Sequence, residues 1–149
     1  MTVKDIMQTS ISACPPQTDL DAVVDVMKTR DCGFLPVVDT HGLVVGVITD
    51  RDVAIAAASK HRPLARISAG EAMSRHVFSC FATEHVKTAL EMMAKHRVRR
   101  LPVLTRTGHL EGVLSIDDVV QTPYRRGGAS AEDIVSVLKR IYARQPLAA

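Results

Sequence analysis

Two four-residue motifs carry the polar side chains of this 149-residue chain that are best suited to chemistry: Thr49 with Asp52, and Ser115 with Asp118. In each, a carboxylate follows a hydroxyl by three residues, directly before a predicted helix. A carboxylate can accept hydrogen bonds from both vicinal hydroxyls of a sugar, whereas it repels a phosphate. A hydroxyl beside the free N–H groups of a helix start suits a phosphate instead. The motifs could therefore bind a phosphorylated sugar.

The same spacing fits a purely structural role. A Ser or Thr followed three residues later by an acid is close to the capping box, in which the two side chains satisfy free N–H groups at a helix start. Such a cap is worth about 1 kcal/mol without any ligand. Both roles can coexist, so both interpretations stay open.

The other reactive residue types show no catalytic or metal-binding spacing. The odd number of cysteines (Cys14, Cys32 and Cys80) and their positions indicate buried, reduced thiols. The six histidines contain no H-E-x-x-H, and there is no G-x-S-x-G. We therefore expect no enzymatic activity and no metal site.

Composition limits the partners and the location. Aromatic residues are 3% of the chain, so stacking surfaces for nucleic acid are scarce, and a net charge of +3 does not by itself indicate such binding. The start of the chain lacks the order of a signal peptide, and no apolar run approaches the ~20 residues that span a bilayer. We expect a cytoplasmic protein without membrane or nucleic-acid partners.

An internal repeat sets the architecture. A shift of 66 residues aligns residues 5–53 with 71–119 without a gap, and eleven positions are then identical. Unrelated halves would need gaps, so we infer a duplication. Each copy predicts the order β-α-β-β-α, with first strands at 11–14 and 77–81. Helix starts fall near Leu20, Asp50, Val86 and Ile116.

Local signals refine these elements. Thr18 and Asp21 resemble a capping box for the first long helix. A glycine in each copy falls at a tight reversal between two strands. Pro36 and Pro102 indicate the beginning of a strand or an edge strand, because proline donates no ladder hydrogen bond.

One unit of about 50 residues would be marginally stable alone. The sequence therefore predicts an α/β protein in which two copies pack sheet against sheet with pseudo-two-fold symmetry. We divide the chain into a first repeat (1–60), an exposed linker (61–70), a second repeat (71–122) and a basic loop with a C-terminal helix (123–149). Ser130 and Asp133 can cap that helix, which would pack on the module or on a second subunit, or dock on a separate target.

The doubled motifs resemble those of the CBS domain, which usually occurs as a pair called a Bateman module. The first copy carries Asp5-Ile-Met, Leu35-Pro-Val-Val-Asp and Gly46-Val-Ile-Thr-Asp-Arg-Asp. The second carries Glu71-Ala-Met, Leu101-Pro-Val-Leu and Gly112-Val-Leu-Ser-Ile-Asp-Asp. The resemblance covers about 120 residues. It implies a homodimer and a cleft within the module for AMP, ADP, ATP, NAD or S-adenosylmethionine, with Mg as an accompanying ion.

The resemblance also assigns site residues. Thr49, Asp52, Ser115 and Asp118 would contact ribose and phosphate. Apolar residues of both copies would hold the base: Ile11, Leu35, Pro36, Val37, Val77, Leu101, Pro102 and Val103.

The two copies differ in charge. Residues 5–53 hold three basic and eight acidic groups, whereas residues 71–119 hold seven basic and six acidic groups. Arg99 and Arg100 belong to the second set, and arginines can bind a polyphosphate through bidentate contacts. A solvated helix end and strand rim explains them equally well.

From these observations we expect a regulatory sensor that binds an adenosine compound and signals to a protein target by conformational change. The alternative is a ligand-free module for dimerisation and protein interaction.

Overall fold

The computed structural model describes residues 1–122 and 127–144 of the chain. Besides two 3-10 turns, this part contains six α-helices and five strands: α1 (Leu20–Thr29), β1 (Phe34–Val38), β2 (Val44–Thr49), α2 (Asp50–Lys60), α3 (Ala69–Ala72), β3 (Cys80–Phe81), α4 (Val86–His96), β4 (Arg100–Leu104), β5 (Leu110–Ser115), α5 (Ile116–Gln121) and α6 (Ala131–Ile141). Both long helices of the first repeat, α1 and α2, have counterparts in α4 and α5. The mixed helix and strand class is therefore as predicted.

The chain forms two compact units. The first unit consists of Ser10–Val77 together with Thr105–Leu110. The second unit consists of Met1–Thr9, Phe78–Leu104 and the described part of Glu111–Ala149. Each unit has its own core of buried aliphatic side chains: Leu20, Leu35 and Ile48 belong to the first core, and Leu90, Leu101 and Leu114 to the second.

These units do not follow the boundaries of the sequence repeat, because the first nine residues pack in the second unit. There Gln8 and Val113 exchange backbone hydrogen bonds of 2.9 and 3.0 Å. In the first unit, Ser74 and Val47 exchange equivalent bonds of 2.9 and 3.0 Å. Gln8 corresponds to Ser74 and Val113 to Val47 under the 66-residue shift. The leading segment of each repeat therefore packs in the unit that contains the strands of the other repeat.

The sheet of the first unit contains β1 and β2, which pair antiparallel from Phe34↔Thr49 onward. The strand predicted at residues 11–14 is wrong in extent, since within this segment the ladder has one parallel bridge, Cys14↔Val37. Cys14 donates to the carbonyl of Pro36 and accepts from the N–H of Val38. Cys14 alone therefore satisfies the backbone groups of Pro36 and Val38 that face this edge of β1.

The sheet of the second unit has the order β3-β4-β5. The strand predicted at residues 77–81 shortens to Cys80–Phe81, which pairs parallel with β4 from Cys80↔Val103 onward. Pro102 lies in the middle of β4, the central strand, so the prediction of a strand beginning or an edge is wrong here. The proline is tolerated because the pairing with β3 begins one residue after it.

The helix starts follow local chemistry, with one correction. The Asp19 side chain, rather than Thr18, caps α1 by accepting a hydrogen bond of 3.0 Å from the N–H of Ala22. Two capping residues stand side by side in the sequence, and Asp caps better than Thr. The predicted starts of α2 at Asp50 and of α5 at Ile116 are confirmed.

The segment predicted to be an exposed linker is partly buried. A short 3-10 turn at Leu64–Arg66 turns the chain inward, and the side chain of Ile67 is fully buried in the core of the first unit. The Ile67 carbonyl accepts from the N–H of Leu20 at 2.9 Å, which ties this segment to the start of α1. The residues before this turn, His61, Arg62 and Pro63, are exposed as predicted, and so are Ala65 and Arg66 within it.

The C-terminal helix α6 packs on α4 within the second unit. As predicted, Ser130 and Asp133 form a capping box at its start. Lys87 of α4 forms an ion pair with Asp133 at 2.9 Å, and Arg140 forms another with Glu91 at 2.7 Å. Of the preceding basic loop, residues 123–126 lie outside the described part. In the part that the structure describes, no helix is long and apolar enough to cross a membrane.

Candidate functional site

The Thr49 motif stands where β2 ends and α2 begins, and it forms a complete capping box. The Thr49 hydroxyl accepts a hydrogen bond of 3.2 Å from the N–H of Asp52. In return, Oδ2 of Asp52 accepts from the backbone N–H and from the hydroxyl of Thr49, both at 2.8 Å. Residues before and after the strand end are thereby fixed to each other, so the carboxylate has a defined position.

The Ser115 motif repeats this geometry between β5 and α5. The Ser115 hydroxyl accepts from the N–H of Asp118 at 3.1 Å. Oδ2 of Asp118 accepts from the N–H of Ser115 at 2.7 Å and from its hydroxyl at 2.5 Å. The structural interpretation of both motifs as capping boxes is therefore confirmed.

Capping leaves each carboxylate a second oxygen, and here the two motifs differ. Oδ1 of Asp118 accepts a hydrogen bond of 2.9 Å from Nε2 of Gln8. Oδ1 of Asp52 has no hydrogen-bond partner within residues 1–122 and 127–144. An ionised carboxylate offers about four lone-pair sites, so Asp52 keeps the larger free capacity to accept hydroxyl groups.

Gln8 is the residue of this arrangement that the sequence analysis missed. It belongs to the leading segment of the first repeat, 110 positions before Asp118. The available signal was the 66-residue shift itself, which sets Gln8 opposite Ser74, a much shorter side chain. That difference becomes meaningful only once the exchange of leading segments is known.

Most of the apolar residues proposed for the base are committed to the two cores. The side chains of Leu35, Val37, Leu101 and Val103 are at most 1% exposed. Both prolines of these strands, Pro36 and Pro102, are also buried. The partly buried members of the set are Ile11 and Val77. A ligand could therefore touch these two side chains without any rearrangement of a core.

The two predicted arginines lie in the second unit, together with Ser115 and Asp118. The Arg99 carbonyl accepts from the N–H of Ile116 at 2.9 Å, directly after the Ser115 cap. The exposed guanidinium of Arg99 donates a hydrogen bond of 3.2 Å to the hydroxyl of Tyr142, which lies just past the end of α6. Arg100 is half-buried, with Asp117 as an ion-pair partner at 3.9 Å. Both guanidinium groups already have partners within the protein.

A cavity of about 300 Å³ adjoins the second motif, and its lining includes Asp5, Gln8 and Asp118.

Within the described part of the chain, no group of three His, Cys, Asp or Glu side chains could hold a metal ion. Glu71, in the first unit, caps the start of α3 together with Ser68. The N–H of Ser68 and the guanidinium of Arg62 lower the pKa of Glu71 to about 2.

Comparison with known proteins identifies the class that this fold and these doubled motifs define. The sequence profile of the CBS domain matches residues 3–59 and again residues 69–124. The protein is thus a tandem pair of CBS domains, and the chain belongs to the CBS domain family.

Its relatives include the CBS domain-containing protein YhcV of Bacillus subtilis (strain 168), which is 30% identical over 118 residues, covering 79% of this chain and 82% of that protein. Among solved structures, the CBS domain pair of protein MJ0100 in complex with 5'-methylthioadenosine and S-adenosyl-L-methionine has a TM-score of 0.73 at 25% identity, covering 81% of this chain and 94% of that one. CBSX2 in complex with AMP has a TM-score of 0.70 at 25% identity, covering 80% and 93%.

Proposed function

We propose that this protein is a regulatory module that binds an adenosine-containing compound and signals the occupancy to a protein partner. AMP, ADP, ATP, NAD and S-adenosylmethionine are the candidates, with Mg accompanying a polyphosphate. The observation that carries the proposal is the position of Asp52, whose carboxylate is fixed by Thr49 and retains a free oxygen, Oδ1. The similarity to CBS domain pairs that hold adenosine compounds supports the same class of ligand.

The chemistry assigns a role to each part of the motif. Oδ1 of Asp52 would accept hydrogen bonds from the vicinal hydroxyls of the ribose, which suits a carboxylate. The N–H groups at the start of the eleven-residue helix α2, which Thr49 does not use, would face a phosphate. Ser115 and Asp118 would serve in the same way in the second unit. Ile11 and Val77 would contact the base, and Arg99 and Arg100 would favour a ligand with several phosphates.

For signalling, the ligand must bind one conformation better than another, because only a difference in affinity shifts an equilibrium. We propose that the protein acts as a cytoplasmic homodimer and that a protein target recognises the shifted conformation. Catalysis is not part of the proposal.

A second candidate function is a module for dimerisation and protein interaction that binds no small molecule. The complete capping boxes at Thr49 and Ser115 favour it, since they explain both motifs without a ligand.

Thermal unfolding with each of the five compounds, with and without magnesium, separates the two functions. A ligand at a hundred times its dissociation constant adds about 2.7 kcal/mol, a shift of roughly 5–11 °C for a chain of this size. Replacing both Asp52 and Asp118 with Asn should abolish the shift. Asp133→Asn is the matched control, because Asp133 belongs to the same kind of capping box on α6. No shift with any compound would favour the interaction module.

A further inference from the structure

The two leading segments approach the two capping boxes in the same register but with side chains of different length. Gln8 pairs with Val113 and Ser74 with Val47, so each lies beside the strand that ends in a motif. The Gln8 amide extends to Oδ1 of Asp118 at 2.9 Å. The Ser74 hydroxyl is too short for the equivalent contact and instead donates to the carbonyl of His76 at 3.4 Å. The backbone pairing is therefore the same in both units, but the hydrogen bonds to the Asp52 and Asp118 carboxylates differ.

The hydrogen bond from Gln8 changes what Asp118 can offer. Its Oδ2 is used by the Ser115 cap and its Oδ1 by the Gln8 amide. A sugar hydroxyl that approaches Asp118 must displace the amide or accept a poorer geometry. Hydrogen bonds to ionised groups are among the stronger ones in proteins, so this competition lowers the affinity for a ligand. No such competition exists at Asp52 within the described residues.

We propose that Gln8 makes the two adenosine-binding motifs unequal: it occupies Asp118, so the Thr49–Asp52 motif of each chain fills first. Gln8 is thus a residue that sets the order of binding, although it lies outside both motifs. This inference rests on the proposed function and deepens it. It identifies the first unit as the high-affinity position and the Gln8 amide as the group that a second ligand must displace.

The test is a calorimetric titration with AMP, and separately with S-adenosylmethionine, of five proteins: the wild type, Gln8→Ala, Gln8→Ala combined with Asp118→Asn, Ser74→Gln and Ser74→Ala. For the wild type we expect one tight equivalent per chain and a second that is weaker by about tenfold, which corresponds to one hydrogen bond of ~1.4 kcal/mol. Gln8→Ala should strengthen the second equivalent by about tenfold. Adding Asp118→Asn to this variant should remove the gain.

Ser74→Gln transfers the competing amide to the first unit. It should weaken the first equivalent by about tenfold, because the new side chain starts from the same register beside Val47. Ser74→Ala is the matched control, which removes only the hydrogen bond to His76 and should leave both affinities unchanged. Thermal unfolding of each variant without ligand checks that it is folded.

Two results would overturn the inference, and they differ in what they say about the proposed function. If the wild type binds AMP or S-adenosylmethionine and neither Gln8→Ala nor Ser74→Gln changes any affinity, the role of Gln8 is refuted and the sensor function stands. If neither the wild type nor Gln8→Ala binds either compound, the inference is refuted, and AMP and S-adenosylmethionine are both excluded as ligands of the proposed sensor.

Discussion

Gly112 lies directly against Met7 in the second unit. A Cβ atom added to Gly112 would lie 2.8 Å from the carbonyl oxygen of Gln8 and 3.0 Å from Sδ of Met7. Gly46 has the same relationship to Met73 in the first unit, where the Cβ would lie 2.9 Å from the carbonyl oxygen of Ser74. Met7 corresponds to Met73 and Gly46 to Gly112 in the two repeats. In each unit, the missing side chain of the glycine leaves room for the methionine from the leading segment of the other repeat.

This relationship predicts the effect of adding one methyl group. Gly112→Ala and Gly46→Ala should each lower the free energy of unfolding by about 1–3 kcal/mol, the usual cost of overpacking, because the methyl group meets a backbone carbonyl that cannot move away. Gly33→Ala is the control, since its Cβ would meet the flexible carboxylate of Asp50. Urea denaturation measures all three, and an equal loss for Gly33→Ala would contradict the packing argument.

The docking of α6 on the second unit can be tested with two valines of the same helix. Val137 is 3% exposed and packs in the core, whereas Val135 is 49% exposed. Val137→Ala should lower the free energy of unfolding by about 2 kcal/mol through lost burial and the cavity left behind. Val135→Ala should change it by less than about 0.5 kcal/mol. If both variants lose the same amount, α6 does not pack on this core in solution.

Acid should weaken the attachment of α6. Lys87, together with the N–H and hydroxyl of Ser130, lowers the pKa of Asp133 to about 2 from an ordinary value of 3.8. The stabilisation is therefore fully present above about pH 4 and is lost as the pH falls through about 2. Thermal unfolding of the wild type should decline more steeply over this range than that of Asp133→Asn. Because Lys87 is exposed and Asp133 is only partly buried, added salt should reduce the difference. Parallel curves at low salt would contradict the prediction.

The three thiols should differ in reactivity. Burial raises the pKa of Cys14, and burial together with Glu84 raises the pKa of Cys80 to about 12. The thiolate is the reactive form, so at mildly alkaline pH these two thiols should resist a disulfide reagent in the native protein. Cys32 is only partly buried. We expect one thiol per chain to react quickly and all three to react in denaturant. Rapid reaction of all three in native buffer would contradict the burial seen here.

The duplication and the element order were predictable because they depend on local periodicity and on a constant shift. The exchange of leading segments was not, and the reason is the repeat itself. Since Met7 corresponds to Met73 and Gly46 to Gly112, packing of a segment on its own repeat or on the other one uses the same residue types. Sequence cannot distinguish two arrangements whose contacts are chemically identical.

Within the candidate site, the capping boxes were predictable from three-residue spacing alone. The contact of Gln8 with Asp118 was not, since it depends on the exchange. The same limit applies to the proposed base contacts. The motif Leu-Pro-Val shows apolar residues at the right place, but only the packing shows that Leu35 and Val37 point into a core.

The passage of the chain between its two units has a consequence for dissection of the protein. The chain leaves one unit and enters the other at four places: after Thr9, Val77, Leu104 and Leu110. A fragment that ends at residue 60 would lack Ile67 and Ala69, two fully buried side chains of the first core. We therefore expect that neither repeat folds as a self-sufficient half. Two separately produced fragments would have to assemble by complementation, each supplying the segment that completes the other.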